Sequence, residues 1–144
     1  MLSKVAARSD KFPNCPINKI SFDDRKELIV KEINSFEADF ICLEEVDYRD
    51  SDYLVEKCGN KKYSSYYLKK NITPDGILIL YNKRFTHLDS SPVLHYNNKA
   101  KNELANQKSM INVFLHKKEN NTFILIVGVS HFRSGPFYRG DRRS

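Results

Sequence analysis

Residues 38–47 read ADFICLEEVD, an apolar segment that ends in three acidic side chains. The pattern predicts a β-strand that delivers two adjacent carboxylates, Glu44 and Glu45, and a third at Asp47. Because side chains alternate along a strand, we expect Glu45 to share a face with Ile41. A carboxylate at the end of a buried strand is costly unless a positive charge meets it, and Mg²⁺, which prefers oxygen ligands, is one such partner. The alternative is a strand end that runs into solvent.

Length and composition restrict the class of protein. A chain of 144 residues suits one domain and is short for two. Lys and Arg number 24 against 18 Asp and Glu, and the resulting charge of +6 favours phosphate-bearing partners without identifying one. The three cysteines are widely spaced and form no C-x-x-C, so neither a disulfide framework nor a zinc site is indicated.

The apolar segments are too short for a membrane protein. No run approaches the roughly 20 apolar residues that cross a bilayer, and the start lacks the apolar core of a secretion signal. We therefore expect no membrane partner and a cytoplasmic location. The basic, serine-containing opening MLSKVAARS keeps a mitochondrial location open.

Periodicity predicts an α/β arrangement of short elements. Ser21 and Asp24 form a capping box for a helix whose apolar face continues to Phe36, and a second, short helix is predicted to begin at Ser51. Four further strands are predicted, of which the last two form a hairpin, at 63–68, 77–81, 109–116 and 122–132.

The run FILIVGV at 123–129 does not alternate, which predicts a central strand buried on both faces. The two predicted helices are too few to cover both faces of a sheet of about five strands. We therefore expect further cover from residues outside this chain.

Basic residues stand at the ends of two predicted strands. His131 lies at the end of the last predicted strand, and Arg133 lies two positions on, hence on the same face if the strand continues. The planar fork of an arginine and the ring N–H of a histidine can together bind a phosphoryl oxygen, although a histidine at a strand end is also commonly just solvated. Lys69, near the end of another strand, offers a further positive charge or is a plain surface lysine.

Four segments, taken in order, carry a family resemblance: FDDRKELIVKEI at 22–33, ADFICLEEVD, PDGILILYNKRF at 74–85 and FILIVGVSHFR at 123–133. Together they resemble the endonuclease/exonuclease/phosphatase superfamily, and within it the branch of nocturnin and the poly(A)-specific deadenylases. The resemblance covers nearly the whole chain. It implies a four-layer α/β sandwich of which residues 1–144 form one partial domain, the amino-terminal portion, with the second half of the domain absent.

The resemblance also implies roles for single residues. Glu45 falls on the metal-binding glutamate, His131 on the catalytic, phosphate-contacting histidine, and Arg133 and Lys69 on basic positions of the substrate pocket. Such enzymes use Mg²⁺ to polarise a phosphate ester while an activated water attacks. The implied substrate is NADP(H), which would lose its 2′-phosphate, or poly(A), which would be trimmed from its 3′ end. A third possible substrate is another small phosphate ester. No protein partner is indicated.

The chain departs from the family pattern at several positions. Ser3 stands where the family has asparagine, Glu44 where it has glutamine, and Gly135 where it has a second pocket arginine, which Arg139 could replace. The family's G-D-x-N and S-D-H elements do not occur in the 144 residues. We therefore expect a fragment that is inactive or nearly so, because it lacks a positioned general base. The alternative is a non-catalytic product that binds nucleotide, RNA or a full-length sibling.

Overall fold

The computed structural model describes residues 7, 10–59, 62–93, 96–98, 103–104 and 108–131. This part of the chain contains two helices and two three-stranded antiparallel sheets, together with a small strand pair. Short helical turns cover Ile17–Lys19 (3₁₀) and Val55–Gly59 (π), and the remaining elements are α1 (Phe22–Ser35), β1 (Phe40–Asp47), α2 (Tyr48–Leu54), β2 (Tyr63–Lys69), β3 (Asp75–Asn82), β4 (Phe85–Val93), β5 (Tyr96–Asn98), β6 (Glu103–Leu104), β7 (Lys108–Lys118) and β8 (Asn121–His131).

Helix α1 begins where the sequence predicts it. The hydroxyl of Ser21 accepts a hydrogen bond from the backbone N–H of Asp24 at 3.2 Å and donates to the Asp24 carboxylate at 2.6 Å. The helix buries Phe22 and Ile33 against the first sheet. Phe36, predicted on the same face, is instead the C-cap and is largely exposed, because the backbone leaves the helix there.

Helix α2 begins earlier than predicted, at Tyr48 rather than near Ser51. The reason is Asp47, whose carboxylate accepts from the backbone N–H of Arg49 at 3.1 Å and caps the helix. The Arg49 guanidinium also holds both Asp47 carboxylate oxygens at 2.9 Å. Asp47, the third acidic residue at the end of β1, is therefore the N-cap of α2.

Three layers pack on one another. We call the sheet with strand order β1-β3-β2 sheet A and the sheet with order β4-β7-β8 sheet B. One face of sheet A carries Leu78 and Leu80 and packs against α1 and α2. Its other face carries Ile77 and Ile79, which pack against sheet B. Both sheets thus contribute to the core between them, and the helices among the described residues cover sheet A.

Strand β8 differs from its prediction. Its pairing with β7 confirms the hairpin, with Lys108 opposite His131 at one end and Lys118 opposite Asn121 at the other. Within the part of the chain that the structure describes, however, β8 lies at the edge of sheet B, and Ile124 and Ile126 on its outer face are about two-thirds exposed. The prediction of a central strand buried on both faces is therefore wrong for these residues.

Strand β4 has no counterpart among the strands predicted from the sequence. It lies at an edge of sheet B as described here, where Pro92 is tolerated. Its His87 Nε2 lies 2.7 Å from the hydroxyl of Ser90, which donates to the fully buried Asn112 at 2.7 Å.

No described helix is long and apolar enough to span a membrane.

Candidate functional site

A β-bulge interrupts β1 at Glu45. Pairing with β3 is regular as far as Glu44, which lies opposite Ile77, and it resumes with Val46 opposite Gly76. Glu45 is the extra residue, with a φ of 59° in the left-handed region. A residue with a side chain pays about 1–2 kcal/mol for that conformation, so the local backbone is strained.

The bulge changes the direction in which Glu45 points. Strict alternation places Glu45 on the face of Ile41 and Leu43, which packs against the helices. Val46 takes that position instead and is fully buried there, while the Glu45 side chain reaches towards sheet B. The predicted direction of Glu45 was therefore wrong, and the inserted residue is the cause.

His131 meets Glu45 across the two sheets. Its Nε2 lies 3.5 Å from the Glu45 carboxylate Oε1, and the two side chains retain 16% and 29% of their exposure, enough for a ligand to reach them. The other ring nitrogen, Nδ1, is buried and has no hydrogen-bond partner among the described residues. Two predicted site residues that are distant in sequence thus come together.

Lys108 lies directly beside His131 and was not predicted as a site residue from the sequence. It is opposite His131 in the β7–β8 register and is only 8% exposed. The predicted strand began one residue later, at Ser109. The available signal was that Lys108 is in phase with the core residue Met110.

Lys69 lies at the same end of sheet A but makes a different contact. In the register it is opposite Gly76, which is in turn opposite Val46. Its ammonium lies 4.5 Å from the ring centroid of Tyr48, at the start of α2. Arg133, the other predicted pocket residue, lies outside the described residues.

The strand ends next to Glu45 are fixed by buried polar contacts. The ammonium of Lys70 donates to the Asp75 carboxylate at 2.6 Å, and both side chains are largely buried. Burial alone would raise the pKa of Asp75, but hydrogen bonds from Lys70 and Thr73 outweigh it and hold that pKa below its ordinary value. The Tyr67 hydroxyl donates to the Val46 carbonyl at 2.9 Å. Burial raises the pKa of Tyr67.

Several known proteins resemble this chain. Nocturnin from Drosophila melanogaster is 33% identical over 55% of this chain and 14% of that protein. The solved human nocturnin catalytic domain with bound sulfate matches with a TM-score of 0.65 and 23% identity, covering 85% of this chain and 47% of that one. ANGEL2, a 2′,3′-cyclic phosphatase solved with adenosine-2′,3′-vanadate, matches with a TM-score of 0.68 and 21% identity, covering 87% of this chain and 38% of that one.

The chain has the endonuclease/exonuclease/phosphatase fold and is similar in sequence to nocturnin over part of its length. The predicted resemblance and the α/β fold class are thereby confirmed. The described residues build three layers, where the resemblance implies a four-layer sandwich. The chain spans about half of the human nocturnin catalytic domain and a smaller share of the fly protein. No protein-family profile matches it.

The metal-binding capacity of the site is limited. Among the residues described here, no group of three or more His, Cys, Asp or Glu side chains could hold a metal ion. Asp47 is bound to Arg49, and the Glu45 carboxylate lies beside His131. Mg²⁺ is often bound through one or two carboxylates, with water and substrate phosphate as further ligands, so Glu45 fits as a single protein ligand.

Proposed function

We propose that this chain contributes the metal- and phosphate-binding part of a nocturnin-like, Mg²⁺-dependent phosphohydrolase. The observation that carries the proposal is the 3.5 Å contact between Glu45 and His131 across the two sheets. It joins an oxygen ligand suited to a hard cation with an imidazole that can donate to a phosphoryl oxygen. Arg133 and Lys69 are proposed to extend the positive charge around the phosphate, and we propose that residues 1–144 are the amino-terminal portion of one such domain.

Each residue has a separate task in this proposal. Glu45 would hold Mg²⁺, which when bound neutralises charge on the phosphate ester. His131 donates through its ring to a phosphate oxygen and orients it. The burial of Val46 and the hydrogen bond that its carbonyl accepts from Tyr67 keep the neighbouring backbone fixed, so that the bulge presents the carboxylate in one direction.

The proposed substrate class is an adenosine-containing phosphate ester, with NADP(H) and poly(A) RNA as its two candidates. Human nocturnin was solved with sulfate and ANGEL2 with an adenosine vanadate, which supports a phosphate-like group next to a nucleoside. The formal charge of +6 agrees with a polyanionic ligand. A panel of NADP⁺, NADPH, oligo(A) and simple phosphate esters distinguishes the candidates.

For the 144 residues alone we propose binding with little turnover. The motifs that supply the general base in the family do not occur in this sequence, and Glu45 and His131 by themselves offer one carboxylate and one imidazole. A non-catalytic nucleotide- or RNA-binding role is the second candidate, and the same lack of a base favours it.

The test is a titration of the chain with adenosine 2′-monophosphate by calorimetry, in Mg²⁺ and in EDTA. We expect Mg²⁺ to strengthen binding to the wild type but not to Glu45→Gln. Glu37→Gln, an exposed carboxylate before the opposite end of β1, serves as the matched control and should respond like the wild type.

Two results would contradict the proposal. Equal affinities in Mg²⁺ and EDTA for the wild type would overturn the metal site. Phosphate release from NADP(H) or oligo(A) by the 144-residue chain, at the rate of a complete relative and in Mg²⁺ only, would overturn binding without turnover.

A further inference from the structure

Lys108 and His131 form the last residue pair of the β7–β8 ladder. Residues directly opposite in an antiparallel pair project from the same face, with Cβ atoms about 4.5–5.5 Å apart. The next pair on that face, Met110 and Val129, is buried against sheet A. Lys108 and His131 therefore project into the space between the sheets, at the end where Glu45 lies.

The burial of Lys108 requires an explanation. At 8% exposure it is buried like a core residue, and lysine is almost never so buried unless an anion pairs with it. Within the described segments no carboxylate forms a salt bridge with its ammonium. The buried Nδ1 of His131 likewise finds no hydrogen-bond partner there. Two neighbouring nitrogen groups thus lie in a partly dehydrated space, and Glu45 lies beside one of them.

The chemistry of this set favours an anion with several oxygens. A lysine ammonium is a compact charge with three donors, and the three free oxygens of a phosphate monoester can accept from it and from an imidazole together. A carboxylate that holds a cation does not also neutralise the ammonium. A bound phosphate group would supply that negative charge.

We infer that Lys108 is a phosphate-binding residue of this site and that, with His131, it holds a phosphate monoester even when no metal is present. The inference rests on the proposed function, because it assigns a further residue to the same site. It differs in one respect that can be measured: this part of the binding does not require Mg²⁺.

The experiment titrates inorganic phosphate and adenosine 2′-monophosphate into the full 144-residue chain in EDTA, by calorimetry and ³¹P NMR. We expect Lys108→Met to weaken binding by about tenfold or more, as loss of a charged hydrogen bond does, and Lys108→Arg to retain most of it. Lys117→Met is the matched control: it removes the same charge from the exposed far end of β7 and should leave affinity unchanged. Thermal unfolding confirms that each variant is folded, and Lys108→Gln replaces the methionine variant if that one is not.

The outcomes separate this inference from the proposed function. If Lys108→Met binds like Lys117→Met, the inference is overturned. If the wild type binds only with Mg²⁺ and loses that binding in Glu45→Gln, the inference is again overturned while the proposed function stands. Binding in EDTA that depends on Lys108 supports the inference, and an added lack of any Mg²⁺ effect would overturn only the metal part of the proposed function.

Discussion

Glu45 and His131, whose side chains lie 3.5 Å apart, are held by different sheets. Their separation is therefore set by the packing of the sheets on each other, chiefly by Ile77 and Ile79 of sheet A against Met110 of sheet B. Neither sheet alone contains the site. Its affinity for a ligand should consequently depend on core residues that the ligand never touches.

The first prediction uses two buried neighbours on β3 whose side chains point to opposite faces. Ile79→Ala opens a cavity between the sheets, and Leu80→Ala opens one under the helices. Both should lower the free energy of unfolding by about 2–5 kcal/mol, measured in urea. Only Ile79→Ala should also weaken phosphate binding at concentrations where both variants are folded. An equal loss of affinity in both would show that sheet packing does not set the site.

The second prediction concerns the left-handed backbone at Glu45. Glycine adopts this conformation without strain, so Glu45→Gly should be more stable to urea than Glu45→Ala by about 1 kcal/mol. At Glu44, which is in regular pairing with Ile77, the order should reverse, because glycine weakens a strand. The same order at both positions would contradict the strained conformation.

The third prediction is a pH dependence that arises from Asp75. Its pKa in the folded state lies below the ordinary value of 3.8, so the folded chain keeps this carboxyl ionised to lower pH than the unfolded chain does. The resulting stability is complete above the unfolded pKa and is lost as pH falls through the folded pKa. Urea unfolding from about pH 6 to about pH 2 should show this loss in the wild type and not in Asp75→Asn.

Exposed Asp52 provides the control for that experiment. Asp52→Asn should keep the acid-dependent loss of the wild type. Lys70→Met should cost about 3 kcal/mol at neutral pH, because it leaves the buried Asp75 carboxylate without its cation. A wild-type profile that matches Asp75→Asn would refute the role of the pair.

The fourth prediction follows from the exposed outer face of sheet B. Ile124 and Ile126 are 67% and 71% exposed and lie next to each other on this face, as does Ile111 at 43%. Such a patch favours self-association. The double change Ile124→Lys and Ile126→Lys should reduce the apparent mass in concentrated solution, measured by light scattering, with little change in the urea midpoint. If the double variant self-associates as strongly as the wild type, the outer face of sheet B is not the surface responsible.

The parts of the fold that depend on local chemistry could be predicted from the sequence. The cap at Ser21 and the hairpin between β7 and β8 are encoded by neighbouring residues, and both are confirmed. Helix α2 was predicted to start too late because Asp47 was considered only as part of an acidic cluster, although aspartate is also a strong N-cap.

The parts of the fold that depend on long-range packing could not be predicted from the sequence. The bulge at Glu45 has no glycine or asparagine to indicate it, so strict alternation gave the wrong face. Strand β8 is apolar throughout, and periodicity alone does not distinguish an edge strand with an exposed apolar face from a central one. Lys108 could be placed beside His131 only once the register of β7 and β8 was known.

The left-handed glutamate has a consequence for laboratory evolution of this chain. A library selected only for heat resistance should return glycine or asparagine at position 45, since both relieve the backbone. A library selected for ligand capture should keep glutamate there, so the residue recovered reveals which pressure was applied.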